Sequence, residues 1–203
     1  MENEMKHTIV DLLEKLKSIG YVKPESIPNI DLYMDQVTSF MDDQLTRSKR
    51  HDTDKLLTKT MINNYTKNDL LPPPVKKKYS KDHVLTLLFI YYFKNILSIN
   101  DIRSILEPIT DKYFKNEDDF DMEDVYNEVF RLEEEESSKL LKDFSKKYAM
   151  AKTTFKDFPE EDQKFLQTFS FICLLSFDVY MKKMLIEKII DDVIEEKDTS
   201  SNE

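Results

Sequence analysis

Glycine is almost absent from this chain. Of 203 residues one is glycine, Gly20, and tryptophan does not occur. Hairpins closed by primed turns, phosphate-cradling loops and dinucleotide fingerprints all use glycine where φ is positive or where a ligand must approach the backbone. Their shortage points to an all-α chain and away from nucleotide chemistry. Cysteine is equally scarce: Cys173 is the single one, so the chain cannot form an internal disulfide, which fits a reduced, cytoplasmic protein. Long apolar runs are missing too. The longest, from Phe165 to Phe177, ends at Asp178 and falls short of the roughly 18–20 residues of a membrane span, so it is expected to be a buried helix with Cys173 as inert packing. The amino terminus, MENEMKHTIVDLLEKLKS, is charged throughout and lacks a signal-peptide core.

What is present is charge, unevenly placed. The net charge is −10, yet residues 44–83 hold ten Lys or Arg against four Asp. That window is basic inside an acidic chain, which suggests two surfaces with different tasks.

The hydrophobic spacing predicts a first helix over 3–18, with Ile9, Leu12, Leu13, Leu16 and Ile19 on one stripe and Gly20 as terminator. A second helix is expected over LYMDQVTSFMDDQL, capped by Asp31 and burying Leu32, Val37, Phe40, Met41 and Leu45. TRSKRHDTD reads as an exposed basic loop. A short helix then follows Thr58 as N-cap. Met61, Ile62 and Tyr65 fall on one side of it, and Lys59, Thr60, Asn63, Asn64 and Lys67 on the other. That wet face has no acid, two lysines and two adjacent amides. Lysines suit phosphates, and an asparagine can pair bidentately with an adenine edge. Beyond it, LLPPPVKKKYS combines three prolines with Lys76, Lys77 and Lys78. Ser80 can cap a helix apolar on most sides, KDHVLTLLFIYYFKNIL, with His83 as a helix-start residue. Ser98 and Asp101 form a capping-box pattern for the next helix, which Pro108 is expected to help stop. The remainder is acidic and helical. Its run Glu133–Glu136 reads as a solvated face, since consecutive positions diverge around a helix and do not converge on a cation. Pro159 opens a last helix with Leu175, Val179, Ile186, Ile190 and Val193 near one stripe, and the aromatics Phe165, Phe169, Phe171, Phe177 and Tyr180 are expected in a core.

Residues 57–106 resemble the DNA-binding head of the MerR family of winged helix-turn-helix regulators. The likeness rests on the capped helix ending in Tyr65, on Leu70-Leu71-Pro72-Pro73-Pro74, on Tyr79-Ser80 opening a helix and on Ser98-Ile99-Asn100-Asp101-Ile102 opening the next. More closely, PNIDLYMDQV, LTKTMINNYTK, PPPVKKKYS and LSINDI resemble an uncharacterised bacterial domain family of unknown function with a MerR-like head. The chain departs from the MerR pattern at Asn63 and Asn64, where an arginine and a tyrosine are usual, at Asp69, where glycine is usual, and in a shorter, glycine-free wing. The loop over 46–57 is also longer.

The resemblance implies an all-α fold: a MerR-like winged helix-turn-helix head over 28–108, after a helix and loop at 1–27 and before acidic dimerisation helices at 109–197 and a polar tail at 198–203. It implies a sequence-specific transcriptional regulator that binds double-stranded DNA as a homodimer on a palindromic site. Thr58, Lys59, Thr60, Asn63, Asn64 and Lys67 would face the major groove, and Lys76, Lys77 and Lys78 the phosphates. The alternative is a non-catalytic protein-interaction module that keeps the fold without binding DNA. An enzyme is not expected, because His7, His51 and His83 are scattered and no metal spacing occurs. Neither a cofactor nor a membrane partner is expected, and the sequence specifies no small-molecule effector.

Overall fold

The computed structural model describes residues 21–116 and 120–200, with the backbone path alone for 133–135, 137–138 and 195–200. The helix expected over 3–18 lies outside the described residues. Contacts divide the chain into two units, Met1–Glu133 and Glu134–Glu203. Both are mostly helical, and the strands among the described residues are short.

In the first unit a 3₁₀ turn at Pro24–Ser26 leads to strand β1 (Leu32–Tyr33) and helix α1 (Met34–Leu45). The expected cap is corrected here. Leu32 and Tyr33 pair antiparallel with β2 (Lys78–Tyr79), so the helix starts later and Asp31 is left outside it. The start is held by the Gln36 side chain, which accepts from the Tyr33 N–H at 2.8 Å. Val37, Met41 and Leu45 recur at helical spacing and are buried, while Phe40 is half-buried.

Helix α2 (Lys59–Lys67) follows the long connection. Lys49 of that connection pairs back to Asp42 of α1 at 2.7 Å, and the Arg50 and His51 N–H groups donate to Asp54 at 3.1 and 3.0 Å. Helix α3 (Lys81–Phe93) buries every residue from His83 to Tyr91, as a helix apolar on all sides must. Helix α4 (Ile99–Tyr113) opens with the expected capping box: Ser98 Oγ accepts from the Asp101 N–H at 3.2 Å, and Asp101 accepts from the Ser98 N–H at 3.1 Å. It does not stop at Pro108, which lies inside it. A proline here removes the bond to the Ser104 carbonyl and crowds that carbonyl with its ring. Buried Ile102 and Leu106 anchor the turns before it, and the Thr110 hydroxyl donates to the Leu106 and Glu107 carbonyls.

Helix α5 (Met122–Ala151) begins in the first unit, where Met122 and Tyr126 are fully buried. The Tyr126 hydroxyl donates to the Val22 carbonyl at 2.8 Å, and the Val22 N–H donates to the Tyr92 hydroxyl at 3.1 Å. Burial pushes the Tyr92 phenol up to about 12 and the Tyr126 phenol up as well, so both stay protonated as this lock requires.

The second unit holds the rest of α5 and helix α6 (Glu160–Ser200). The turn between them is pinned by glutamines. Gln163 Nε2 donates to the Phe155 and Lys156 carbonyls, each at 3.0 Å, and buried Gln167 donates to those of Lys152 and Thr154. Phe171 packs edge-on against Phe144 and Tyr148, and Lys147 pairs with Asp178. The expected burial of the apolar run fails here. Phe165, Phe169, Ile172, Phe177 and Tyr180 are exposed, and so is Cys173. Two antiparallel helices enclose only the side on which they touch, so these side chains stay open, while Ile190 of the expected stripe is buried.

Candidate nucleic-acid interface

The candidate site is built on α2 and the segment that leaves it. Thr58 caps the helix as its position predicts, its hydroxyl accepting from the Met61 N–H at 3.2 Å. Ile62 and Tyr65 are buried and Met61 is half-buried, which orients the opposite face outward. Lys59, Thr60, Asn63, Asn64 and Lys67 are all exposed there. Over this face the 3.6-residue repeat places Lys59 at one end and Lys67 about 12 Å away at the other, with the two amides between.

The end of α2 shows why Asp69 can stand where a glycine would be easier. Asp69 has φ 57. The Leu70 N–H donates to the Tyr65 carbonyl at 2.9 Å and the Asp69 N–H to that of Thr66 at 3.4 Å. This is the Schellman arrangement, completed by apolar contact across the end, and Tyr65 and Leu70 are both buried. Aspartate is among the few non-glycine residues that enter the left-handed region at moderate cost.

Leu71 then enters the core, and the prolines carry the chain to a hairpin whose form the composition does not anticipate. Val75 and Lys78 exchange both backbone bonds, at 3.1 and 2.9 Å, around Lys76 and Lys77. These two lysines have φ 51 and 65. Positive φ at both central positions defines a two-residue primed turn. The expectation that the lack of glycine excludes such a turn is therefore corrected. β2 is held on its other edge by β1, and this second pairing fixes a turn that the tip residues alone would disfavour. The outcome is two exposed, adjacent lysines at a tight tip.

His83 secures the elbow. The Ser80 N–H donates to its Nδ1 at 2.9 Å, so the proton sits on Nε2, which faces the Pro73 carbonyl at 3.4 Å. Its ring lies edge-on between Tyr79 and Phe114. Burial, with Lys115 nearby, lowers its pKa to about 4, so it is a neutral structural strut with both nitrogens engaged.

The fold joins parts of the site that are far apart in sequence. Lys78 lies over the Tyr33 ring, 5.3 Å from its centroid, and Lys59 pairs with Asp35. Both lysines thus meet one short segment at the start of α1, which sets the head of α2 beside the hairpin. Lys76, Lys77 and Lys67 project free of any ion pair among the described residues. Two partners escaped sequence reasoning. Tyr33 offers its ring to Lys78, and Asp35 adds an acid to a face that α2 by itself leaves without one. The first contact follows the strand pairing of residues far apart in the chain and the second joins two different helices, and the local pattern carries no signal for either. The Lys59–Asp35 pair is exposed on both sides, so it is weak and competes poorly with a polyanion.

Among the described residues no cluster of His, Cys, Asp and Glu could hold a metal ion, and no helix is long and apolar enough to cross a membrane. The site and its frame define a mostly helical domain that presents a capped, amide-bearing helix beside a lysine-tipped hairpin. A family model described as a domain of unknown function (DUF1836) matches residues 22–129, over half the chain, and the chain belongs to that family. No curated protein and no solved structure matches it.

Proposed function

We propose that residues 28–108 form a MerR-like winged helix-turn-helix head and that the protein is a sequence-specific transcriptional regulator, acting as a homodimer on a palindromic site in double-stranded DNA. α1 would be the supporting helix, α2 the recognition helix and the Val75–Lys78 hairpin the wing. One observation carries this reading: the exposed Asn63–Asn64 face of α2 stands beside a hairpin tipped by Lys76 and Lys77. In it the amides read base edges, Lys59 and Lys67 reach phosphates at the two ends of the helix, and Lys76, Lys77 and Lys78 hold one backbone strand. Thr58 and Thr60 lie at the helix start, where N-terminal residues of a recognition helix approach the groove. One head makes few phosphate contacts, so two heads related by a two-fold axis supply the affinity.

The test is selection of duplexes from a random pool followed by a salt titration. Binding should weaken steeply with salt. Replacing Lys76, Lys77 and Lys78 with alanine should weaken binding to every duplex and flatten the salt slope by up to about 0.9 for each phosphate that a lysine no longer neutralises. Asn63→Ala with Asn64→Ala should relax base preference by about 1–3 kcal/mol at the bases the amides read while leaving the salt slope in place. No binding at low salt would leave a protein-interaction role for the same surface.

A further inference from the structure

Two apolar side chains stand open beside the lysine hairpin. Lys78 is opposed by Tyr33 on one side and by Val75 on the other. Residues directly opposed in a sheet share a face. Tyr33, Lys78 and Val75 therefore form one row across three backbone segments, about 10 Å from end to end at the usual strand spacing. The inner face of the same pairing is spent on the core, where Leu32 and Tyr79 are buried. The outer face is open: Tyr33 is 54% exposed and Val75 52%. Lys78 stands half-buried between them with its ammonium over the Tyr33 ring. The row runs from the Lys76–Lys77 tip to the start of α1, where Asp35 pairs with Lys59 at the head of α2. It lies between the two parts of the candidate site and belongs to neither.

We propose that this row grips the sugar–phosphate strand of a DNA duplex, the Tyr33 hydroxyl donating to a phosphate oxygen and Val75 lying against deoxyribose. The inference rests on the DNA reading above and adds β1 to the interface. Area argues against a protein partner. One tyrosine and one valine, each about half exposed, present on the order of 200 Å², far below the about 800 Å² each partner buries in a stable protein complex. Charge favours a polyanion. Lys76, Lys77 and Lys78 outnumber Asp31, just ahead of β1, and Asp35 is already taken by Lys59. A nucleotide supplies both things such a row can hold, an anionic oxygen for tyrosine and lysine and an apolar sugar for valine. The ring itself separates duplex from single strand. Lys78 covers one of its faces, so unstacked bases cannot sandwich it as they do on single-strand platforms. A phosphate contact needs only the hydroxyl.

The probe is one duplex fixed from the selected pool, titrated with the full chain. Tyr33→Phe keeps the ring under Lys78 and removes the hydroxyl. It should weaken binding by about tenfold, the usual loss of one hydrogen bond to a charged group, with the thermal midpoint of the free protein unchanged. Tyr33→Ala should weaken binding further, and Val75→Ser to a smaller extent. The salt slope should stay in place in all three, since none removes a cation. Single phosphates of the duplex are then replaced by neutral methylphosphonates. At one position the replacement should cost the unaltered chain affinity and cost Tyr33→Phe markedly less, the non-additivity of two partners in one bond. Full affinity in Tyr33→Ala, additive losses at every phosphate, or tighter binding to a separated strand than to the duplex would overturn this contact while leaving α2 and the lysine tip as the interface. A chain that binds no duplex at all fails the DNA reading and this contact together.

Discussion

At the scale of single residues, His83 has the clearest solution signature. Its ring is neutral in both states above pH 6.5, and buried in the fold it takes a proton only near pH 4. Between those values the unfolded chain binds a proton that the folded chain refuses, so stability falls as the pH falls, by on the order of 3 kcal/mol in all. His83→Gln keeps a capping acceptor for the Ser80 N–H but cannot titrate. Urea titrations at pH 7.5, 6 and 5 should show a shallower decline for this variant, although it starts lower through loss of the ring packing. Asp69 gives the opposite kind of test. Its left-handed backbone is filled at lower cost by glycine, so Asp69→Gly should stabilise the fold by about 1 kcal/mol, read as a higher urea midpoint with an unchanged slope. The caps at Thr58, Ser80 and Ser98 were legible because a capping residue and its target lie within one turn. The Tyr33–Lys78 and Asp35–Lys59 contacts were not, because nothing at position 33 or 35 marks a partner beyond the horizon of a helical turn.

At the scale of elements, periodicity located α2, α3 and α4, and it failed where two neighbours compete for a boundary. Leu32 fits the stripe of α1 by spacing, yet the strand pairing with Tyr79 takes it. Pro108 reads as a stop, yet α4 continues because buried residues before it and a threonine after it compensate for one missing bond. The lysine hairpin shows the limit of composition as a guide: glycine makes a primed turn easy, but two flanking pairings can impose it on lysine. A capping prediction belongs at this scale. Thr58→Ala removes the acceptor for the Met61 N–H and should cost about 1 kcal/mol, seen in a lowered thermal midpoint. If α2 reads DNA, the loss should also weaken duplex binding, because the helix that carries Asn63 and Asn64 frays at its start.

For the whole molecule, the shortage of glycine and the helical spacing of apolar residues gave the mostly helical class, and the family assignment over 22–129 accords with the motifs before Pro108. The charge boundary was legible as well, since it is a property of composition along the chain. What the sequence misassigned was the apolar helix near the carboxyl end. Hydrophobicity reports that a residue prefers to leave water but not whose surface covers it, and among the described residues many apolar side chains of α6 stay uncovered while Ile190 is buried. The exposed thiol of Cys173 follows from the same geometry. Being the sole thiol of the chain and open to solvent, it accepts a nitroxide or a fluorophore at one defined position in the unaltered protein. If two copies pair as proposed, a label there turns the spacing between them into a spectroscopic distance, and a change in that distance on adding a duplex would report on how the carboxyl-terminal helices answer an event at the head.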